Sequence, residues 1–212
     1  MSFLPDAATL LAFTVAALVL TITPGPDMTL FLGRTLAQGR AAGLAAYLGA
    51  CTGSLIHTSL AALGLSALLA ASPQAFLALK IAGAAYLVYL AVQAIRHGSS
   101  FSVDRRAAPR APLLANWATG VGINLLNPKI ILFFVTFLPQ FVAASDPHAG
   151  AKFFFLGVYF ILVATPITLV LIVTADRIAS VLKARPSVMR AIDWLFAGVF
   201  SAFAMRILLA RN

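Results

Sequence analysis

The chain has 212 residues, of which 61% are hydrophobic and only 10% are charged. Soluble domains carry about 25% charged residues, so this composition excludes an ordinary soluble protein and predicts a membrane protein. At roughly 20 residues per membrane span, the length suits a bundle of about six spans. The single cysteine, Cys51, excludes a disulfide framework and a two-cysteine redox pair.

The first predicted segment runs from Ala8 to about Gln38 and is interrupted near its middle. Proline lacks a backbone N–H and clashes with the preceding helical turn, so an unbroken helix cannot pass this point. Backbone groups freed inside a membrane need partners, and such breaks mark the binding sites of transporters. The residues of this first break, which we predict to bind substrate, are Thr23, Pro24, Gly25, Pro26 and Asp27.

The second segment runs from Gly43 to about Leu69, and the third runs from Pro73 to Ile95 with Ser72 as its predicted N-cap. His57 is the only histidine deep in a predicted span. Because histidine titrates near neutral pH, His57 is a candidate for proton coupling. An interhelical hydrogen bond is the alternative role for this side chain.

The fourth segment runs from Leu113 to Phe141 and is broken at Asn127-Pro128. Asparagine at an N-cap followed by proline predicts that a half-helix starts there. Its positive dipole end favours an anion, and Lys129 adds a positive charge. We therefore predict that Asn127, Pro128 and Lys129 bind a substrate carboxylate. The alternatives are that Lys129 reaches the membrane interface or pairs permanently with Asp27.

Asp27 supplies the opposite charge in the first break. Its carboxylate is predicted to hold a substrate ammonium group or to carry the coupling proton, and simple helix capping is the alternative. A zwitterionic amino acid needs one anion-binding and one cation-binding group, and the two breaks together offer both.

The fifth segment runs from Lys152 to Ala175 and the sixth from Val188 to Leu209, and the two breaks suggest an internal repeat. Pro24 lies 16 residues after Ala8, and Pro128 lies 15 residues after Leu113. Paired interrupted segments at matching positions are typical of transporters built from inverted repeats. The sequence thus predicts an all-α domain over 1–212, with six transmembrane helices as a 3+3 inverted repeat. The halves are approximately 1–97 and 112–212, joined by a cytoplasmic linker at 98–111. The alternative interpretation of the two breaks is that they are kinks at the membrane edge.

The distribution of basic residues predicts the orientation of the chain. Ten of the fifteen lysines and arginines fall in the odd-numbered loops: Arg34, Arg40, Arg96, Arg105, Arg106, Arg110, Arg177, Lys183, Arg185 and Arg190. Cytoplasmic loops are enriched in such residues, so both termini are predicted outside the cytoplasm. The net charge of +9 then reflects these loops and not a nucleic-acid partner.

Several function classes fit poorly with this pattern. Only one acidic residue lies deep in the predicted bundle, so the paired groups of an intramembrane enzyme are missing. His57, His97 and His148 fall in separate regions, so no metal site is predicted, and nothing indicates a cofactor. Gly49 and Gly53 predict close helix packing, with a homodimer interface as the alternative. An exporter of another small solute or cation and a passive channel remain alternative functions.

The broken segments also carry a family resemblance. The motifs are Thr23–Asp27, Asn127-Pro128-Lys129, Leu138–Phe141 and Lys80–Leu87 with Arg96 ending the same helix. They resemble the LysE/RhtB family of amino-acid exporters, of the homoserine, threonine and lysine efflux type. The resemblance implies a multi-pass exporter of the bacterial inner membrane, driven by an ion gradient, with a proton favoured over sodium, and working by alternating access. Some family members carry an acidic residue in span five, where this chain has Ala164-Thr165-Pro166-Ile167.

Overall fold

The computed structural model describes residues 4–97, 111–143 and 146–209, and its regular elements there are helices. The helices are α1 (Ala7–Ile22), α2 (Pro26–Gln38), α3 (Arg40–Leu60), α4 (Ser66–Ala71), α5 (Pro73–His97), α6 (Leu113–Leu126), α7 (Pro128–Leu132), α8 (Ala149–Val173), α9 (Ala175–Ala184) and α10 (Pro186–Leu209). A π-helical turn, Ala61–Leu65, joins α3 to α4. A second π-helical turn, Phe133–Phe137, and a 3₁₀ turn, Leu138–Phe141, continue α7.

Both predicted helix breaks are present. The chain bends by 51° between α1 and α2 and by 53° between α6 and the helix that begins at Pro128. Asn127 is the N-cap of α7, because its side-chain oxygen accepts a hydrogen bond of 3.0 Å from the backbone N–H of Lys129. Ser72 likewise accepts from the backbone N–H of Ala75 at 3.2 Å, as predicted for an N-cap.

Some of these helices have the length and composition of membrane spans. Among the described residues, two helices, Arg40–Leu68 and Ala149–Val173, are long and apolar enough to cross a membrane, or up to four if each bent pair is one span. Helices α5 and α10 have 25 and 24 residues and pack against each other. The model is therefore consistent with an all-helical membrane protein, while the count of six spans stays a prediction.

Several predicted boundaries need correction. The second segment begins at Arg40 and not at Gly43, because Gly39 adopts a φ of 95° and turns the chain directly after α2. The fifth begins at Ala149, three residues earlier than predicted. The amphipathic helix α9 was not predicted. Apart from Ala111, the predicted linker at 98–111 lies outside the described residues.

Helices α3 and α6 approach closely because small residues face each other. A Cβ on Gly49 would lie 2.0 Å from the carbonyl oxygen of Trp117, and one on Gly120 would lie 2.0 Å from that of Ala46. A Cβ on Gly53 would lie 2.7 Å from Oδ1 of Asn124. The glycines predicted to mark close helix packing therefore serve a contact within one chain.

This contact leads to a prediction about stability. Gly120→Ala should lower the melting temperature of the detergent-purified protein, since its methyl group would meet backbone that cannot move aside, and overpacking of this kind costs about 1–3 kcal/mol. Gly122→Ala on the same helix is the matched control, because nothing lies within 4 Å of its added Cβ. Alanine is the better helix former, so the control should melt at the same or a higher temperature. Equal melting temperatures for the two variants would contradict the close contact.

A dense aromatic core fills the half of the bundle that lies toward the face where α1 begins, here called the N-terminal face. Phe13, Phe133, Phe137 and Phe153 are each at most 1% exposed. Phe13 and Phe133 are in tilted contact, with ring centroids 5.8 Å apart. This core packs α1, the segment that continues α7 and the first turns of α8 against one another.

Candidate functional site

A cavity lies between the two helix breaks. Its polar lining residues come from several of the helices and from both sides of the second break: Thr21, Asp27, Tyr47, Ser54, Asn124, Lys129 and Thr168. Its volume is about 60 Å³, which is room for a few water molecules.

The cavity extends away from the aromatic core. Phe31 and Tyr47 line it on α2 and α3, and Leu171 lines it near the end of α8. These positions lie toward the face that carries Gly39, where α2 turns into α3, here called the Gly39 face. Arg40 ties α8 to this face by donating to the carbonyl of Val173 at 3.1 Å.

A chain of hydrogen bonds that runs from α3 through α6 holds the side chain of Asp27 on α2. Ser54 Oγ donates to Asn124 Oδ1 at 3.4 Å, and Asn124 Nδ2 donates to Asp27 Oδ2 at 3.0 Å. The other carboxylate oxygen, Oδ1, is buried without a hydrogen-bond partner among the described residues. A buried oxygen of this kind is costly to leave unpaired, so it marks a place where a donor can bind.

Asn127 presents a complementary unpaired group. Its Oδ1 is used as the N-cap of α7, whereas its Nδ2 is buried and has no partner of ordinary hydrogen-bond geometry in the described structure. The side chain is close enough to Asp27 to interact with it electrostatically. The amide of Asn127 and the carboxylate of Asp27 are thus neighbours at the meeting point of the breaks, and each has one buried polar atom that makes no ordinary hydrogen bond.

Lys129 bridges the two breaks. In a continuous helix, the carbonyl of Leu20 would accept from the N–H of residue 24, but Pro24 has none. The ammonium of Lys129 replaces that donor, with Nζ 3.1 Å from the oxygen of Leu20 and 2.8 Å from the oxygen of Thr23. These carbonyls form the negative end of the α1 dipole, which favours a cation.

Gly25 is the residue that lets Lys129 come this near. A Cβ at position 25 would lie 3.2 Å from Nζ and 3.3 Å from Cε of Lys129. Any larger residue would press on the lysine side chain where it meets the α1 carbonyls. Pro24 and Gly25 therefore have distinct roles. Pro24 leaves the carbonyl of Leu20 without a helical donor, and Gly25 leaves space for the ammonium group of Lys129 that takes its place.

Comparison with known proteins agrees with this architecture. The family model described as LysE type translocator matches residues 18–211. The chain belongs to the LysE family. It is 28% identical over 196 residues to the leucine efflux protein of Salmonella choleraesuis, covering 92% of each chain. It is 29% identical over 201 residues to the homoserine/homoserine lactone efflux protein of Salmonella typhimurium, covering 95% of this chain and 96% of the relative.

A shorter match is found in Bacillus subtilis. The relative, named uncharacterized membrane protein YrhP, is 38% identical over 141 residues, covering 63% of this chain and 67% of its own length. No solved structure gives a significant match. The predicted LysE/RhtB resemblance is thus confirmed, and this LysE-family chain has relatives named as amino-acid efflux proteins.

Some of the predicted site residues line the cavity, and the others lie at the helix breaks beside it. Asp27 and Lys129 line the cavity. The other residues predicted to bind substrate shape the two breaks without lining the cavity: Thr23, Pro24, Gly25, Pro26, Asn127 and Pro128. Asp27 has a cross-helix hydrogen bond to Asn124, which favours a role beyond simple capping of α2.

His57 lies outside the cavity wall. Its ring stacks on Phe134, with centroids 5.5 Å apart and an interplanar angle of 17°. The side chain is half-buried, and its Nε2 has no hydrogen-bond partner among the described residues. His57 is therefore placed next to the site and not in contact with a substrate that fills the cavity.

Two polar residues of the site were missed in the sequence. Asn124 lies only three residues before the Asn-Pro pair, and an asparagine inside an apolar segment is itself a signal of a polar site. The hydroxyl of Ser54 in the apolar second segment is a similar signal. No cluster of three or more histidine, cysteine or acidic residues occurs in the part of the chain that the structure describes.

Proposed function

We propose that this LysE-family protein exports an amino acid, holding the substrate ammonium group at Asp27 and its carboxylate at Lys129 and Asn127. The observation that carries the proposal is the pair of opposite charges at the meeting point of two helix breaks. The Oδ1 of Asp27, which is buried without an ordinary hydrogen bond, supplies an acceptor for the ammonium group, and Asn127 lies beside it as the N-cap of the second break. The relatives named as leucine and homoserine efflux proteins support the same substrate class.

The two charges are available to a ligand because they do not pair with each other. The ammonium of Lys129 contacts two carbonyl oxygens, and the carboxylate of Asp27 contacts the amide of Asn124. Two of the three ammonium protons are used in this way, which leaves one for a substrate carboxylate. A zwitterion lying between the two side chains would satisfy both charges at once.

Alternating access is supported by the asymmetry of the bundle. The aromatic core fills the half of the bundle toward the N-terminal face, whereas the cavity reaches toward the Gly39 face. With both termini outside the inner membrane, as the basic loops predict, the Gly39 face is cytoplasmic, where an exporter takes up its substrate. A cytoplasm-only reporter that is active at the C-terminus would contradict this orientation.

The helix pairing supports the proposed 3+3 inverted repeat of six spans. Helix α1 of the first broken segment packs on α8, and α6 of the second broken segment packs on α3. If spans one to three correspond to spans four to six, these two contacts are equivalent. Helices α5 and α10, the third spans of the two halves, also pack against each other.

An export assay tests the proposed function. Purified protein in proteoliposomes would be supplied with labelled amino acids, and exchange would be followed with and without an imposed proton gradient or sodium gradient. We expect exchange of at least one amino acid, and we expect a proton gradient to drive net movement in sodium-free buffer. Failure of every amino acid to exchange would contradict the proposed substrate class. A strict sodium requirement would contradict proton coupling and leave the proposed amino-acid export intact.

His57 provides a separate prediction about coupling. His57→Ala should reduce gradient-driven export by a larger factor than substrate exchange, because His57 lies beside the cavity and not in its wall. His57→Phe is the matched control, since it keeps an aromatic ring against Phe134 and removes the titratable group. If the phenylalanine variant restores gradient-driven export, the ring serves packing and not proton transfer.

A further inference from the structure

We infer that the apolar wall of the cavity receives the substrate side chain, and that it selects amino acids with uncharged aliphatic side chains. The inference rests on the proposed function, because it takes Asp27 and Lys129 as the places that fix the two charged ends of the substrate. A side chain attached to those ends must occupy what remains of the same cavity.

One face of α8 forms much of that remaining wall. Phe160, Ile161, Ala164, Thr168 and Leu171 line the cavity at helical spacing. Four of these five side chains are hydrocarbon only. This face of α8 therefore offers an aliphatic side chain a mostly apolar surface.

The wall offers no partner to a charged substrate side chain. Apart from Asp27 and Lys129, the residues that line this cavity are of types that are uncharged at neutral pH. The hydroxyl of Tyr47 is already within 2.6 Å of Thr165 Oγ1. A lysine, arginine or glutamate side chain would thus bury an uncompensated charge against hydrocarbon, which is strongly unfavourable.

Two alanines set the room available to the side chain. Ala50 on α3 and Ala164 on α8 both line the cavity, and both are buried. Larger residues at these positions would fill the space that an aliphatic side chain needs. Ala164 is the better test position, because it belongs to the apolar face just described.

The test compares substrates within single variants. Wild-type protein in proteoliposomes should exchange leucine, valine and alanine, and it should exchange lysine and glutamate at least about tenfold less well. Ala164→Leu should lower leucine exchange at least about tenfold relative to alanine exchange, since one methylene in an apolar pocket is worth about 10–200-fold. Ala151→Leu is the matched control: the same substitution on the same helix at an exposed position, with no change in the leucine-to-alanine ratio expected.

A second variant keeps the inference testable if Ala164→Leu does not fold. Ala164→Gly should raise exchange of methionine or phenylalanine relative to leucine. Equal changes for small and large side chains in both variants would overturn the assignment of this wall. Exchange of lysine or glutamate as fast as leucine would also overturn it while leaving amino-acid export intact, whereas no exchange of any amino acid would overturn the proposed function itself.

Discussion

Asp27→Asn should abolish export while the protein remains folded. Asparagine has nearly the same shape and can keep a contact with Asn124, but it carries no negative charge for a substrate ammonium group. A bound substrate ammonium group would then be buried without its charged partner, and losing one partner of a hydrogen-bonded charge pair in a binding site costs about 2–5 kcal/mol, a loss of about 30-fold or more. The measurement is exchange of labelled amino acid in proteoliposomes, with size-exclusion chromatography to confirm assembly.

Two further variants make the Asp27 result specific. Asp176→Asn removes an exposed carboxylate on α9 and should leave exchange unchanged. The double variant Asp27→Asn with Asn124→Asp moves the negative charge across a 3.0 Å hydrogen bond and should recover part of the lost exchange. Normal exchange by Asp27→Asn alone would contradict the role given to this carboxylate.

Lys129→Met should abolish export and also destabilise the protein, which separates its effect from that of Asp27→Asn. Methionine has a similar length but donates no hydrogen bond, so the carbonyls of Leu20 and Thr23 would be left unpaired at the first break. An unsatisfied buried acceptor costs about 1–3 kcal/mol, so the two together should cost about 2 kcal/mol or more. Thermal unfolding in detergent and the exchange assay measure the two effects separately.

The control for this variant removes a lysine that makes a different contact. Lys152→Met breaks an ion pair with Asp146 near the start of α8, far in sequence from either break. This substitution should leave exchange intact and lower the melting temperature less than Lys129→Met does. A Lys129→Met protein with the melting temperature of wild type would contradict the hydrogen bonds from Lys129 to the carbonyls of Leu20 and Thr23.

The breaks were predictable because proline acts locally. The Pro-Gly-Pro and Asn-Pro motifs place the two breaks, because Pro26 and Pro128 start new helices. A single proline is a weaker signal, since Pro166 lies inside the continuous helix α8. The caps at Asn127 and Ser72 depend on neighbouring residues only and were found in the same way. Family membership followed from motifs at these same positions.

The contacts across the site could not be predicted because they depend on how helices pack. Sequence spacing suggested a substrate or Asp27 as the partner of Lys129, whereas its ammonium binds carbonyls of a helix more than 100 residues away in the chain. The hydrogen bond from Asn124 to Asp27 likewise joins residues brought together only by folding. His57 looked central by its depth in a span, but depth along a helix does not decide which way a side chain faces.

The central claim is that the cavity between the two breaks is where the substrate binds, and Cys51 can test it without altering the site. This residue is the only cysteine in the chain and lines the cavity. Its rate of modification by a small thiol reagent would be measured in wild-type protein with increasing concentrations of an exchanged amino acid. A Ser180→Cys variant lacking Cys51 supplies an exposed control on α9. We predict saturable protection of Cys51 and no protection at position 180; modification of Cys51 at the same rate with and without every exchanged amino acid would contradict the account.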